Sequence, residues 1–258
     1  MSDSAGRRSK SHDSAYLAEY YDLRAKADVT VLNAQDDAKI YISALKKQVE
    51  SYYPLDHHGQ HLIVLDVGTG TGRVLANLAT DAVQDNIPLS NVEFIGVDLL
   101  LSASGSVSLL TRSGELLKFL AQAAALLRPR SGRFYLSIKR DLLSTQSTSE
   151  PTGENAKSSG LCERHEFPSE LYENIVYRQL PVESPTVDGS IKRALYQLQV
   201  IKRTNAGHEE VIEENHIESV QRIWKEPELL ECFKEAGLEC VETTQTSYET
   251  YYVLKQAG

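Results

Sequence analysis

An apolar stretch that runs straight into three glycines constrains the fold of this chain more than any other part of its sequence. The stretch is HLIVLDV, residues 61–67, and Gly68, Gly70 and Gly72 follow it. An apolar, β-branched run without polar alternation is typical of a strand buried on both faces, as in a parallel sheet. The glycines allow a tight turn into a helix and a close approach of the backbone to a ligand. The sequence therefore predicts a strand–turn–helix unit of an α/β fold, with a binding site at the turn.

The remaining chain alternates helical and strand patterns in the order expected of one α/β domain that ends in antiparallel strands. Apolar residues recur at intervals of three and four in the predicted helices, and Asn33 and Ser113 are placed to cap two of them. Asn205, Ala206 and Gly207 are predicted to form the turn of a C-terminal hairpin. The predicted helices cover 38–52, 73–83, 114–127 and 227–236, and the predicted strands cover 61–67, 92–98, 133–139, 194–203, 210–224, 238–244 and 249–255.

Composition divides the chain into a polar tail, one domain and an internal loop. Residues 1–14 are polar and contain the basic run RRSK, which indicates a disordered tail. Residues 15–258 are predicted to form a single domain. Within it, the segment 144–168 begins with STQSTSEPTGENAKSSG, which has the composition of a flexible loop or lid.

The net charge, the cysteine spacing and the lengths of the apolar runs argue against several classes of protein. A net charge of −9 disfavours a nucleic-acid binder that relies on phosphate neutralisation. The three cysteines show no CxxC spacing, which argues against a disulfide scaffold or a structural zinc site. The sequence shows neither a secretory signal nor an apolar run long enough to span a membrane. A soluble, cytoplasmic protein is therefore expected.

Three histidines come closest to a metal-binding motif. His57, His58 and His61 are adjacent in a loop, but their spacing is poor and no cysteine assists them. Loop histidines before a strand are usually solvated, so no metal site is predicted.

Three ligand-binding patterns compete for the glycine turn. A dinucleotide fingerprint GxGxxG fails, because counting from Gly68 places Arg73 at the third glycine and counting from Gly70 places Leu75 there. A P-loop needs GxxxxGK[ST], and no Lys-Ser or Lys-Thr pair follows. The pattern that remains is DxGxGxG, which starts at Asp66, the acid at the carboxyl end of the strand.

This pattern resembles the cofactor loop of class I S-adenosylmethionine-dependent methyltransferases of the small-molecule type. The resemblance implies a Rossmann-like, doubly wound sheet with a C-terminal antiparallel hairpin, and S-adenosyl-L-methionine as the cofactor. It extends to SAYLAEYYDL, which is similar to the N-terminal helix of many members, and to LLKFLAQAAALLRPRSGRFYLSI, which is similar to a later helix–turn–strand. The cofactor carboxylate suits the helix start, and its ammonium and ribose suit acids at strand ends. The implied cofactor-binding residues are Asp66, Val67, Gly68, Gly70, Gly72 and Asp98.

One part of the family pattern is missing after Asp98. A doubly wound methyltransferase needs a helix, a strand, another helix and a fourth strand there, whereas LLLSASGSVSLLT follows at once and resembles the end of the fourth strand. A parallel crossover takes about a dozen residues or more. The segment 92–103 is therefore predicted to be one long strand or two shorter ones, in a sheet with fewer strands. Either the deletion is real and weakens the cofactor site, or the sequence is an imperfect gene model of an intact enzyme.

The acceptor side of the site is defined less sharply. Methyl transfer from a sulfonium depends on positioning more than on a base, so no catalytic residue is assigned. Tyr20 and Tyr21 are predicted either to contact a cationic or aromatic acceptor or to pack in the core. Ser102 and Ser104 are further substrate-side candidates, because the resemblance places their loop against the acceptor. The leading hypothesis is methyl transfer to a small molecule, and the alternative is a methyltransferase-like binding or partner protein without a complete cofactor pocket. The acceptor atom and the oligomeric state stay open.

Overall fold

A computed structural model of the chain describes residues 15–31, 35–52, 62–66, 73–85, 87, 92–93, 99–102, 106–144, 165–180, 185–204 and 206–258. The chain forms two compact units. Residues 1–28 and 151–220 form the first, which we call the antiparallel unit, and residues 29–150 and 221–258 form the second, which we call the α/β unit. The predicted tail 1–14 lies outside the described residues. The single domain over 15–258 stays a prediction, because two compact units of one chain can still unfold together.

Most of the helices and strands lie where the sequence patterns predict them. The helices are α1 Ala15–Val31, α2 Gln35–Tyr52, α3 Arg73–Gln84, α4 Glu115–Leu126 and α5 Glu226–Glu235. The strands are β1 Leu62–Asp66, β2 Val92–Glu93, β3 Leu99–Ser102, β4 Arg133–Lys139, β5 Leu143–Ser144, β6 His165–Pro168, β7 Ile175–Leu180, β8 Thr186–Asp188, β9 Ile191–Arg203, β10 Glu209–Arg222, β11 Trp224–Lys225, β12 Leu238–Gln245 and β13 Glu249–Gln256. The predicted cap Asn33 lies outside the described residues.

Six described strands of the α/β unit form one sheet in the order β12-β13-β4-β3-β1-β2. Neighbouring strands from β4 to β2 are parallel, whereas β13 runs antiparallel to both β4 and β12. The strand order reverses at β1, since β2 lies on one of its sides and the later strands lie on the other. Ligands of open α/β sheets bind outside the carboxyl ends of the strands at such a switch point.

β2 and β3 lie on opposite sides of β1 and follow one another along it. Ile63 pairs with Glu93 at the end of β2, and Val64 pairs with Leu99 at the start of β3. The described residues of β2 therefore pair with the first part of β1, and those of β3 pair with the second. Of the two arrangements predicted for 92–103, the structure has two shorter strands.

Helices cover both faces of this sheet, as expected of a doubly wound fold. Alternate residues of β4 face opposite layers: Phe134 and Leu136 pack with α4 and α5, whereas Tyr135 packs with α2 and α3. The first layer is centred on Leu120, Phe233 and other fully buried side chains. Burial on both faces explains why the β1 and β4 sequences lack polar alternation.

The start of α4 corrects one predicted cap. Ser113 does not cap this helix, because Gly114 is the residue that precedes it, with a φ of +76° and no capping side chain. Instead, the carboxylate of Glu115 accepts a hydrogen bond of 3.0 Å from the backbone N–H of Arg112. Glycine adopts this left-handed conformation without the steric cost that a side chain would add.

The antiparallel unit consists of α1 packed on a sheet in the order β10-β9-β7-β6, with β8 beside β9. Leu17 and Tyr20 of α1 lie against Tyr177 and Leu198 of the sheet. The predicted hairpin joins β9 to β10, and the N–H of Gly207 donates to the carbonyl of Thr204 at its turn. The sequence patterns missed β7 and β8.

β6 corrects the predicted loop over 144–168. Residues 165–168 are not loop but an edge strand that pairs antiparallel with β7, with Phe167 opposite Tyr177. Ser144 ends β5, and residues 145–164 lie outside the described residues. The strand escapes notice in the sequence because its four residues are too few to show an alternating pattern.

Four charged side chains join four strands of the antiparallel sheet. Arg178 contacts Glu166 and Glu209, each at 2.7 Å, and Arg203 contacts the same two carboxylates at 2.6 and 2.8 Å. The hydrogen bonds from Arg178 and then Arg203 hold the pKa of the Glu209 carboxyl below its usual range. Such cross-strand pairs support the register of β6, β7, β9 and β10.

Candidate functional site

Asp66 is the predicted site residue that the structure places most clearly. It ends β1, where its backbone is paired with Leu101 of β3, and only 6% of its surface is exposed. The position lies at the carboxyl edge of the sheet, beside the point where the strand order reverses. A carboxylate is rarely buried unless it pairs with a positive charge or accepts a hydrogen bond. The prediction that this acid lies at the carboxyl end of its strand is confirmed.

In the sequence, residues 67–72 join Asp66 to helix α3. Residues 67–72 lie outside the described residues, so the structure does not place Val67, Gly68, Gly70 or Gly72. Helix α3 begins at Arg73, the residue after Gly72, which agrees with the predicted strand–turn–helix unit. The N-terminus of a helix presents unpaired N–H groups and a positive dipole end, and it therefore favours an anionic group.

Of the other residues predicted at this edge, the structure describes Ser102 and does not describe Ser104 or Asp98. Ser102 ends β3, and because Leu101 pairs with Asp66, the backbone of Ser102 lies one residue beyond that acid at the same edge. Ser104 and Asp98 lie outside the described residues. Leu99, the chain neighbour of Asp98, pairs with Val64, two residues before the end of β1. The structure thus brings together Asp66 and the end of β3, and leaves the role of Asp98 a prediction.

The groups present at this edge fit the cofactor that the sequence implies. S-adenosylmethionine carries an ammonium, a carboxylate and a ribose diol. Asp66 offers a buried carboxylate for the ammonium, and the start of α3 offers N–H groups for the carboxylate. The donor set therefore matches the charges of the amino-acid end of the cofactor.

Tyr20 and Tyr21 belong to α1 in the antiparallel unit, and their environments differ. Tyr20 is 2% exposed, and its hydroxyl donates to Oε1 of Gln179 at 2.8 Å. Arg24 donates to the same oxygen at 2.6 Å. Tyr21 is 42% exposed, with its ring centroid 5.6 Å from that of Tyr20, and partial burial raises the pKa of its hydroxyl. Tyr20 is thus a core residue of this unit, and a role of either tyrosine toward an acceptor stays a prediction.

Glu19, which the sequence patterns did not single out, anchors α1 to the turn between β6 and β7. Its carboxylate is 4% exposed and accepts hydrogen bonds from the hydroxyls of Ser169 and Tyr177 and from the backbone N–H groups of Glu170 and Leu171. Burial alone raises the pKa of this carboxyl, but the four donors outweigh burial and the pKa lies below its usual value. No local pattern reveals this residue, because its partners lie about 150 positions away in the chain.

The stability of the antiparallel unit is expected to fall in acid as Glu19 is protonated. Because the folded pKa lies below the reference value of 4.5, the stabilisation is complete above pH 4.5 and is lost as the pH falls through the lower, folded pKa. The measurement is chemical denaturation at a series of pH values from 3 to 7. In Glu19→Gln the loss attributable to this carboxyl should disappear; an identical acid-induced loss in the variant contradicts the assignment.

Within the parts of the chain that the structure describes, no three His, Cys, Asp or Glu side chains come together as metal ligands would. His57, His58 and His61 lie outside those parts. None of the described helices is long and apolar enough to cross a membrane.

A comparison with curated proteins finds a relative by sequence. It is the N-methyltransferase FrzE of Cladobotryum sp, which is 37% identical over 98 residues. The matched region covers 36% of this chain and spans 30% of the length of the relative. No family model matches the chain.

Solved structures share the fold over almost the whole chain. The sugar N-methyltransferase KedS8 from Streptoalloteichus sp superposes with a TM-score of 0.58, 17% identity and full coverage of both chains. CalS10, an amino pentose methyltransferase from Micromonospora echinaspora with S-adenosylmethionine bound, superposes with a TM-score of 0.54 and 16% identity, over 96% of this chain and 99% of its own. This chain therefore has the Rossmann-like fold of class I S-adenosylmethionine-dependent methyltransferases, and the fold that the glycine loop predicts is confirmed.

Proposed function

We propose that this protein transfers a methyl group from S-adenosylmethionine to a small-molecule acceptor. The observation that carries the proposal is the buried carboxylate of Asp66, which ends β1 at the switch point of the sheet. The curated relative and the solved structures of the same fold are methyltransferases by name. They favour an enzyme over the alternative of a non-catalytic partner protein.

The cofactor would be held from both ends of the glycine turn. Asp66 would accept hydrogen bonds from the ammonium of the cofactor. The backbone of Val67, Gly68, Gly70 and Gly72 would let the carboxylate of the cofactor approach the N–H groups at the start of α3. Asp98 would hold the ribose diol. Bound in this way, S-adenosylmethionine supplies an electrophilic methyl group on a sulfonium, which is displaced in line by the acceptor.

The acceptor is proposed to be an amine. FrzE is named an N-methyltransferase and KedS8 a sugar N-methyltransferase, which supports a nitrogen acceptor in this chain. An amine attacks only through its lone pair, so the acceptor has to be bound without its extra proton. Tyr21, Ser102 and Ser104 are proposed on the acceptor side, with Tyr20 behind Tyr21. The chain's own task is to hold donor and acceptor in line.

The proposal includes four further features that the sequence indicates. They are a sheet with fewer strands than related enzymes, a lid within 145–164 over the acceptor side, a cytoplasmic location and no nucleic-acid substrate. The negative net charge of −9 supports the last of these, since nucleic-acid binding draws on clustered positive charge.

Replacing Asp66 by asparagine is expected to weaken cofactor binding by about tenfold to a hundredfold, because a charge-assisted hydrogen bond contributes about 1.5–3 kcal/mol. Asparagine keeps the shape of the side chain and removes its charge, and Asp66→Ala provides a second variant. The measurement is calorimetric titration of the full chain with S-adenosylmethionine and with S-adenosylhomocysteine.

Asp188→Asn is the matched control, because this aspartate ends β8 at an exposed position. It should bind both ligands as the unchanged protein does. If the unchanged protein and Asp66→Asn bind S-adenosylmethionine with equal affinity, Asp66 is not part of the cofactor site.

A further inference from the structure

We propose that Arg222 and Trp224 form a binding site for the carboxylate of a small organic molecule. Both residues belong to the α/β unit. Neither is part of the proposed cofactor site, so the inference does not depend on the proposed function. It follows from two buried N–H groups on stacked side chains and from the positive charge that one of these side chains carries.

The side chains of Arg222 and Trp224 are stacked on each other. The guanidinium carbon of Arg222 lies 4.4 Å from the centre of the Trp224 ring. Trp224 is 2% exposed, whereas Arg222 is half-buried. The attraction between a cation and the face of an aromatic ring holds the guanidinium in this position. The pair therefore presents a fixed positive group that is only partly shielded from solvent.

Both side chains have a buried N–H group without a hydrogen-bond partner. These groups are Nε of Arg222 and Nε1 of Trp224. The stacking contact does not satisfy them, because it uses the face of the ring, whereas each N–H bond lies in the plane of its own group. A donor that is removed from water without gaining an acceptor is unfavourable, so a pair of such donors indicates a ligand with acceptor atoms.

The described chain supplies no counter-ion for Arg222. Among the residues that the structure describes, no carboxylate forms an ion pair with its guanidinium. The two acids in the first turn of α5, which follows Trp224 along the chain, have other partners. Glu228 pairs with Lys225 at 3.3 Å, and Glu226 accepts a hydrogen bond of 2.9 Å from a tyrosine hydroxyl. The negative charge therefore has to come from a ligand.

The single charge of the site favours a carboxylate over a phosphate. Burial raises the pKa of the nearby Cys232 thiol although the charge of Arg222 opposes this, so the thiol is neutral near pH 7 and does not neutralise Arg222. One guanidinium matches the one charge of a carboxylate, whereas a phosphate dianion would bring a second charge that lacks a partner. The planar carboxylate also fits the fork of N–H groups on arginine.

The pair lies near the carboxyl edge of the main sheet. Trp224 belongs to β11 and pairs with Leu143 of β5. Only the short 3₁₀ turn Arg140–Leu142 separates β5 from the carboxyl end of β4 at Lys139. Ligands of open α/β sheets bind outside the carboxyl ends of the strands, so the site has a position that suits a ligand.

The single tryptophan of the chain allows a direct test, because it provides one indole N–H signal. That signal is followed in proton–nitrogen correlation spectra of the full chain during titration with sodium acetate near pH 7 and at constant ionic strength. A carboxylate that accepts a hydrogen bond from Nε1 should shift the signal downfield in a saturable way, with a dissociation constant of about 10 mM. Acetamide, the neutral analogue, should bind at least about tenfold more weakly.

Substitutions of Arg222 identify the group that holds the anion. Arg222→Gln should weaken acetate binding by about tenfold or more, because it removes the charge-assisted hydrogen bonds. Arg222→Lys keeps the charge without Nε and should have an intermediate affinity. Arg193→Gln is the matched control, since Arg193 is an exposed strand residue paired with Glu218 at 3.0 Å, and it should bind acetate as the unchanged protein does. Urea unfolding followed by tryptophan fluorescence shows whether each variant is folded.

Three results overturn the inference. The first is a shift of the indole signal that is the same with acetate as with acetamide or sodium chloride. The second is acetate binding by folded Arg222→Gln that is as tight as that of the unchanged protein. The third is binding of inorganic phosphate about tenfold or more tighter than acetate, which would show that the ligand is not a carboxylate. The titrations contain no S-adenosylmethionine, so these results leave the proposed function untouched.

Discussion

Glu19→Ala is expected to destabilise the antiparallel unit by about 3 kcal/mol. The variant removes a buried carboxylate that accepts hydrogen bonds from the hydroxyls of Tyr177 and Ser169 and from the N–H group of Glu170. A buried donor that loses its partner costs about 1–3 kcal/mol, and here several lose the same one. Since the carboxylate also joins α1 to the β6–β7 turn, its loss should loosen both.

The experiment measures thermal and urea unfolding of Glu19→Ala beside Glu173→Ala. Glu173 lies in the same turn but is exposed, and its truncation should change stability by less than about 0.5 kcal/mol. Added formate should restore part of the lost stability of Glu19→Ala only, because a small carboxylate can occupy the vacated position between the donors. Equal unfolding midpoints of the two variants would show that the donors find other acceptors.

The same variant tests whether the chain is one cooperative domain. The single tryptophan, Trp224, lies in the core of the α/β unit, so its fluorescence reports the unfolding of that unit. If residues 15–258 form one domain, Glu19→Ala should lower the midpoint of the tryptophan signal as much as that of circular dichroism. Separate midpoints would contradict the single-domain prediction.

The sequence predicted the parts of the fold that depend on local pattern. The unbroken apolar runs of β1 and β4 indicated strands covered on both faces, and helices do cover both faces of this sheet. Asp66 was found because acid and glycines occur together at one strand end, and the structure places it at the carboxyl edge. The α5 helix was found from the proline at its start and from Gly237, which follows it with a φ of +74°.

Features that depend on contacts between distant parts of the chain could not be predicted from the sequence. Glu19 reads as an ordinary helix residue, and its function depends on a turn far along the chain. Ser113 met the local rule for a helix cap, but Gly114 in a left-handed conformation is the residue that precedes α4. The sequence leaves open whether 92–103 forms one long strand or two shorter ones, because no local pattern shows on which side of β1 each part pairs. The described residues of β2 and β3 pair with β1 on opposite sides, as two separate strands.

Phe233→Ala is expected to cost the α/β unit about 3–5 kcal/mol. The ring is 1% exposed and lies edge-on to Tyr252, with 5.5 Å between the ring centroids. Truncation removes the contact of α5 with β13 and leaves a cavity in the layer that also holds Leu120 and Trp224. Urea unfolding followed by the fluorescence of Trp224 measures the loss directly.

Two control variants separate the parts of this contact. Tyr252→Phe keeps the ring and removes only the hydrogen bond of 2.9 Å to Glu226, so it should cost about 1 kcal/mol. Leu126→Ala, at a residue that is 52% exposed on α4, should cost less than about 0.5 kcal/mol. Cofactor binding at the far end of β1 should survive in all three variants at temperatures where they are folded, since Asp66 lies outside the contact. If Phe233→Ala loses no more stability than Leu126→Ala, then α5 does not pack on the sheet as described. The layer on that face of the sheet would then have to be reassigned.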